Sequence, residues 1–150
     1  MYTAVVLDKK SKDDLKNATN HLLKKGFESE VNGVQLPHHM TINLGEFDER
    51  LNDPDILGMY AILRAEALWW DHKVCCVEIT EAHATHIEND SIIDLIPINT
   101  LNDDEYCAHV TMGVKNGGRP RDSKYLFTSK NSCDADINPI TLLGEIKIVH

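Results

Sequence analysis

A chain of 150 residues with 42% apolar and 26% charged residues is one domain's worth of ordinary globular protein, long enough to bury a core. A net charge of −9 works against broad binding to long nucleic acid, and no apolar run is long enough to span a bilayer. The N-terminus lacks the basic start, apolar stretch and small-residue cleavage site of a secretory signal. These features lead us to expect a single domain over residues 1–150, located in the cytoplasm and without a membrane partner.

In chain order, "YTAVVLD" (2–8) is rich in β-formers and reads as a buried strand. "SKDDLKNATNHLLKKG" (11–26) reads as a helix with Ser11 as N-cap, Leu15, Ala18, Leu22 and Leu23 on one face, and Gly26 as its stop. Residues 38–44 read as a strand. Pro54 at a first helical position predicts a second helix running to about Trp69. "KVCCVEIT" (73–80) and "SIIDLIPI" (91–98) read as strands joined by a polar connection, "EAHATHIEND". "HVTMGV" (109–114) is a further strand, "NGGRP" a turn and "RDSKYLF" a short helix. "ITLLGEIKIV" (140–149) closes the chain as a strand or hairpin with Gly144 at a bulge or turn. Strands outnumber helices, and no Gly-rich dinucleotide fingerprint follows the first strand, so the pattern predicts an α+β domain with mostly antiparallel sheet.

The four cysteines, Cys75, Cys76, Cys107 and Cys133, lack metal-ligand spacing and are expected as free thiols in a reducing compartment. Cys75 and Cys76 are neighbours on a strand and should point to opposite faces.

The informative feature is a repeated His-x-Thr strand. Composition alone gives roughly half of one such triplet by chance, whereas the chain has His39–Thr41, His83–Thr85 and His109–Thr111. The second lies in the polar connection and is set aside as coincidence. The other two share a longer pattern, H-[MV]-T-[IM]-[NG]-[LV]. On a strand, positions i and i+2 face one way, so each copy presents an imidazole and a hydroxyl together, with an apolar back. Two histidines flanking one phosphate can divide general base and general acid work near neutral pH. Two threonine hydroxyls can hydrogen-bond the non-bridging oxygens as charge builds there. A phosphodiester with a neighbouring 2′-hydroxyl suits this set, because its nucleophile is already in place.

The motifs "HHMTINLG" and "HVTMGV", in that order, resemble those of the 2H phosphoesterase superfamily. The resemblance covers essentially the whole chain. It implies an α+β, bilobal, pseudo-symmetric fold of mostly antiparallel sheets with flanking helices. It also implies His39 and His109 as the catalytic pair, Thr41 and Thr111 as phosphate ligands, and a reaction needing no metal or other cofactor. "YTAVVLD", "HHMTINLG" and "AHVTMGVKNGGRPRDSKYL" look most like the viral anti-CBASS nucleases, which implies cyclic di- or trinucleotide substrates. An RNA end bearing a 2′,3′-cyclic phosphate, a 2′–5′ RNA ligase-like activity, and a non-catalytic nucleotide-sequestering protein are the alternatives.

Residues 115–130 hold Lys115, Arg119, Arg121, Lys124 and Lys130 against Asp122 alone. Lys115 and Arg119 are therefore candidate phosphate-binding residues, with an ordinary solvated turn as the plain alternative. Trp70 and Tyr2 are candidates to stack on a base, with Tyr106 and Tyr125 weaker ones. His83 and His86, beside Glu81 and Glu88, have a metal-like spacing but no third ligand fixed by the sequence. His38 should point away from His39 on a regular strand and reads as accessory. The oligomeric state is left open.

Overall fold

The computed structural model describes residues 1–20, 26–100 and 107–150. The chain runs through β1 (Tyr2–Leu7), α1 (Lys9–Thr19), β2 (Glu30–Val31), β3 (Val34–Gln35) and β4 (His39–Leu44). A 3₁₀ turn at Pro54–Ile56 leads into β5 (Tyr60–Trp70) and β6 (Val74–Thr85). The short β7 (Ile87–Glu88), β8 (Ser91–Ile92) and β9 (Ile96–Pro97) precede β10 (His109–Val114). A second 3₁₀ turn, Pro120–Tyr125, comes before the long closing strand β11 (Cys133–Val149).

In the main sheet six strands run in the order β10-β4-β1-β11-β5-β6, with the short β9 added beside β6, and β10 also pairs with β6. Those six strands form a closed barrel in which every pairing is antiparallel. Closure removes free sheet edges from the six strands. Among the described residues, strand accounts for 50% of the chain and helix for 14%. This corrects the expected fold: the molecule is a mostly antiparallel closed barrel, not an α+β bilobal domain with flanking helices.

The largest departure from sequence expectation is the segment after Pro54. Its helix is a single 3₁₀ turn of three residues, capped by the Asp53 side chain, and "YAILRAEALWW" is a strand. The residues are good helix formers, but Ala61, Leu63, Ala65 and Ala67 alternate with more exposed neighbours at a period of two. Pairing with β11 on one side and β6 on the other overrides intrinsic propensity. Strand β6 likewise runs on through "EAHAT", so His83 and Thr85 sit on a strand and not in a connection. The expected strand over 91–98 is reduced to β8 and β9, two residues each.

Helix α1 begins two residues before Ser11. Asp8 is the N-cap, its carboxylate accepting the Ser11 N–H at 2.7 Å. Ser11 is buried, and its hydroxyl accepts the Leu143 N–H at 2.8 Å, tying the helix to β11. Leu22 and Leu23 lie outside the described residues. No helix among the described residues is long and apolar enough to cross a membrane.

The barrel interior is filled by Val5, Met40, Leu63, Leu68, Val77, Val110, Leu142 and Ile146, all 0% exposed, with smaller neighbours. A second cluster, Val74, Cys76, Val114 and Leu126 with Trp69 and Phe127 against it, packs separately. Cys75 belongs to the first cluster and Cys76 to the second, so the adjacent cysteines do face opposite ways. Both are free thiols, and burial pushes the Cys75 thiol up to about 12.

Gly144 marks no turn. Its strand runs in unbroken register from Ile140 to Glu145, and the irregularity lies earlier, between Asp136 and Ile140. A Cβ at Gly144 would sit 2.5 Å from the Val6 carbonyl oxygen and 2.7 Å from Val5 Cγ1. Glycine is thus required by close packing at the centre of the sheet. Gly144→Ala is expected to lower stability by about 1–3 kcal/mol, read as a reduced urea midpoint with an unchanged m-value.

Candidate functional site

Strands β4 and β10 are neighbours in the barrel and meet at one registered antiparallel pair, Met40 opposite Val110. These are the middle residues of the two His-x-Thr triplets, and both are fully buried in the interior. The flanking residues therefore point the other way, out of the barrel. Antiparallel pairing through that point runs His39 alongside Thr111 and Thr41 alongside His109. All four side chains are half-buried.

The two copies share a second feature. Ala4 pairs with Thr41 and Thr3 with Asn43, which leaves Ile42 as an extra residue. Thr111 pairs with Cys76 and Gly113 with Cys75, which leaves Met112 as an extra residue. Each triplet is thus followed at once by a bulge. Bulges bend a strand and re-aim its side chains, and they occur often beside active sites.

The outward-facing residues open onto a cavity of about 720 Å³, within the usual range for small-molecule sites. His39, Thr41, His109, Thr111 and Tyr2 all line it, joined by His38, Asn43, Arg121, Lys124 and Tyr125. Among the described residues that line it, none carries a carboxylate, although the chain as a whole is at −9. The site is therefore locally suited to an anion.

Three of the other candidates lie elsewhere. Lys115 lines a separate cavity with Gly26, Glu28 and Gly118, and its ammonium sits 4.2 Å over the Phe27 ring. Arg119 is exposed at the start of the second 3₁₀ turn, where its N–H donates to Asp122 Oδ2 at 2.9 Å. The close approach at Gly118 is to the Lys73 backbone, 2.3 Å from a built Cβ, and not to a ligand cavity. Trp70 is opposite Cys75 and Cys133, packed against the interior cluster, while Trp69 packs on Phe127. Tyr106 lies outside the described residues. Among the described residues, no group of three His, Cys, Asp or Glu side chains is placed to hold a metal ion, His83 and His86 included.

The residues that sequence reasoning underrated come from the same basic segment. In a 3₁₀ helix, positions three apart eclipse each other. Arg121 and Lys124 thus share a face, and with Tyr125 they reach the cavity. The turn is anchored by Ser123, which is fully buried. Thr111 Oγ1 donates to the Pro120 carbonyl at 3.2 Å and lies 2.8 Å from Ser123 Oγ, which then acts as donor.

His38 does not point away. It precedes β4, and its Nδ1 lies 2.9 Å from Nδ1 of His39. The Tyr2 ring lies against His39 with centroids 4.8 Å apart. On the other strand, His109 Nδ1 is 2.8 Å from the Cys107 carbonyl oxygen. Burial, with smaller contributions from His38 and His109, lowers the His39 pKa to about 4. Burial also lowers His109, partly offset by its bond to the Cys107 carbonyl. His38 is lowered by burial first and then by Lys12 and Lys147.

No protein-family model and no curated protein matches the chain. The fold is similar to that of a fungal RNA kinase seen in a crystal structure, with a TM-score of 0.52 at 12% sequence identity. The match covers 97% of this chain and 44% of the kinase chain, so this chain spans less than half of that protein. The likeness is one of fold.

The depressed histidines make stability pH-dependent. An unfolded His39 takes up its proton near pH 6.5, whereas the folded one stays neutral down to about pH 4. Its contribution is complete above the upper value and is lost as pH falls towards the lower one. Between about pH 7.5 and about pH 5, His39 alone should cost on the order of 2 kcal/mol. Urea midpoints at the two pH values should differ less in His39→Gln than in the wild type.

Proposed function

We propose that the chain is a phosphodiesterase of the 2H phosphoesterase type, with His39 and His109 as its acid–base pair and Thr41 and Thr111 as phosphate ligands. The observation that carries this reading is the convergence of both His-x-Thr pairs on one acid-free cavity. The reaction we infer is attack by a ribose 2′-hydroxyl on its adjacent phosphorus, breaking a 3′–5′ linkage and giving a 2′,3′-cyclic phosphate. One imidazole removes the hydroxyl proton and the other protonates the leaving oxygen, while the threonine hydroxyls donate to the non-bridging oxygens, Thr111 turning its proton away from the Pro120 carbonyl to do so. No step in this scheme calls for a metal.

For substrate, we propose a cyclic di- or trinucleotide, and for biological role a viral counter-defence against such immune signals. A bounded cavity on an acidic protein suits a compact anion better than a long polynucleotide. Arg121 and Lys124 would hold further phosphates, and Tyr2 and Tyr125 offer rings for a base. A second reading, an RNA end carrying a 2′,3′-cyclic phosphate, is favoured by the fold likeness to a fungal RNA kinase. Supplying purified protein with cyclic dinucleotides and with such an RNA in separate reactions distinguishes the two.

Replacing His39 or His109 by alanine is expected to lower kcat by about 10²–10⁴-fold in a chromatographic assay of product formation, and EDTA should leave wild-type activity intact. A protein that only sequesters nucleotides would show no turnover to lose. Arg121→Ala and Lys124→Ala should instead raise KM, by about 10-fold each, and flatten its dependence on salt.

A further inference from the structure

The contact between His38 and His39 has a chemical consequence. At 2.9 Å two imidazole lone pairs repel, so one proton must lie between the two Nδ1 atoms. His109 is differently placed, because a carbonyl oxygen only accepts: its Nδ1 must carry a proton towards Cys107. A neutral His109 then has its lone pair on Nε2, the form of a general base. The acid role falls to His39, whose Nε2 carries a proton when its Nδ1 accepts from His38.

We propose that His38 and His39 act as one proton-carrying pair, in which His38 hands its Nδ1 proton to His39 as His39 Nε2 protonates the leaving oxygen. The proposal rests on the diester-cleaving reading above. Before the step, His38 is an imidazolium protonated on both nitrogens and His39 is neutral with its proton on Nε2. As the phosphorus–oxygen bond breaks, the Nε2 proton goes to the leaving oxygen and the His38 Nδ1 proton moves to His39 Nδ1. Both rings end neutral, the alcohol departs, and the charge of the pair falls by one. His38 is then recharged by a proton from solvent.

The surroundings explain why a lone histidine would serve badly here. His39 lies half-buried against the Tyr2 ring and lines the same cavity as His109. A positive charge confined to it would be poorly solvated. The pair lets that charge rest on His38, the less buried of the two. His38 is itself faced by Lys12 from α1 and Lys147 from β11, with Arg121 and Lys124 around the same cavity. Every one of these is a cation, so the pair takes up its proton most readily when a phosphate is bound. Substrate binding and charging of the acid are thereby coupled.

The decisive experiment compares His38→Ala and His38→Gln with the wild type on two diesters. One is a ribonucleotide 3′–5′ diester, whose alkoxide leaving group needs a proton; the other is a ribonucleoside 3′-para-nitrophenyl diester, whose leaving group does not. Both variants should lose about 10²-fold in kcat on the first, with KM little changed, and stay within a few-fold of wild type on the second. His109→Ala should lose both activities. Equal losses on the two substrates, or no loss on either, would overturn the pair. If the wild type cleaves neither diester, the diester-cleaving reading fails instead. In that case, or if neither variant folds, ¹⁵N NMR of the wild type decides: a scalar coupling across Nδ1···Nδ1 supports the pair and its absence refutes it.

Discussion

The arrangement of this molecule depends on one contact, the antiparallel pairing of β4 and β10 through Met40 and Val110. Burying these two side chains does three things together. It fills the interior between the first and last motif strands, closes the barrel by bringing β10 between β4 and β6, and turns the flanking His and Thr residues outward. The site is therefore a by-product of core packing: the apolar centre of each triplet is held inside, and the polar ends have nowhere else to go. The bulges at Ile42 and Met112 then bend both strands directly after each threonine. A shift of either strand by one residue would exchange interior for exterior positions and destroy core and site at once.

The electrostatics of the cavity differ from those of the whole chain. Carboxylates outnumber bases in the sequence, yet Arg121 and Lys124 supply the fixed charge at the cavity, and burial disfavours the charged form of all three histidines there. Neutrality follows from burial more than from any partner. A neutral imidazole is ready to take a proton, whereas acid work needs the charged form or a proton relayed from a neighbouring ring. Desolvation costs stability as the pH falls, because the unfolded chain then takes up protons that the folded rings resist.

How much of this could be read from the chain is best judged residue by residue. The His-x-Thr copies were legible because strand periodicity of two is a local property, as were the β-forming first strand and the opposed cysteines at positions 75 and 76. The strand Tyr60–Trp70 was not, because alanine, leucine, arginine and glutamate prefer helix, and only the pairing with β11 and β6 reverses that preference. Lys115 and Arg119 drew attention by being near the second motif in sequence. The 3₁₀ turn instead carries Arg121, Lys124 and Tyr125 to the cavity, and its docking through Ser123 and Thr111 is a tertiary fact with no local signature. The bilobal expectation came from the family resemblance; closure of six strands into one barrel is a property of long-range pairing that composition does not reveal.

Two triplets that read alike in sequence are thus made unlike by what stands behind them. The second histidine leans on a main-chain carbonyl, a partner that cannot change its protonation state and so fixes the tautomer of the ring. The first leans on another imidazole, a partner that can give or receive. A reaction that needs a base on one side of a phosphate and an acid on the other requires such a difference, and identical surroundings would leave both rings competing for one role. The asymmetry is produced by a single histidine placed just before β4 and by the Cys107 carbonyl just before β10. The two rings therefore differ in what fixes their protons: one answers to a main-chain carbonyl, the other to a neighbouring group that can itself titrate.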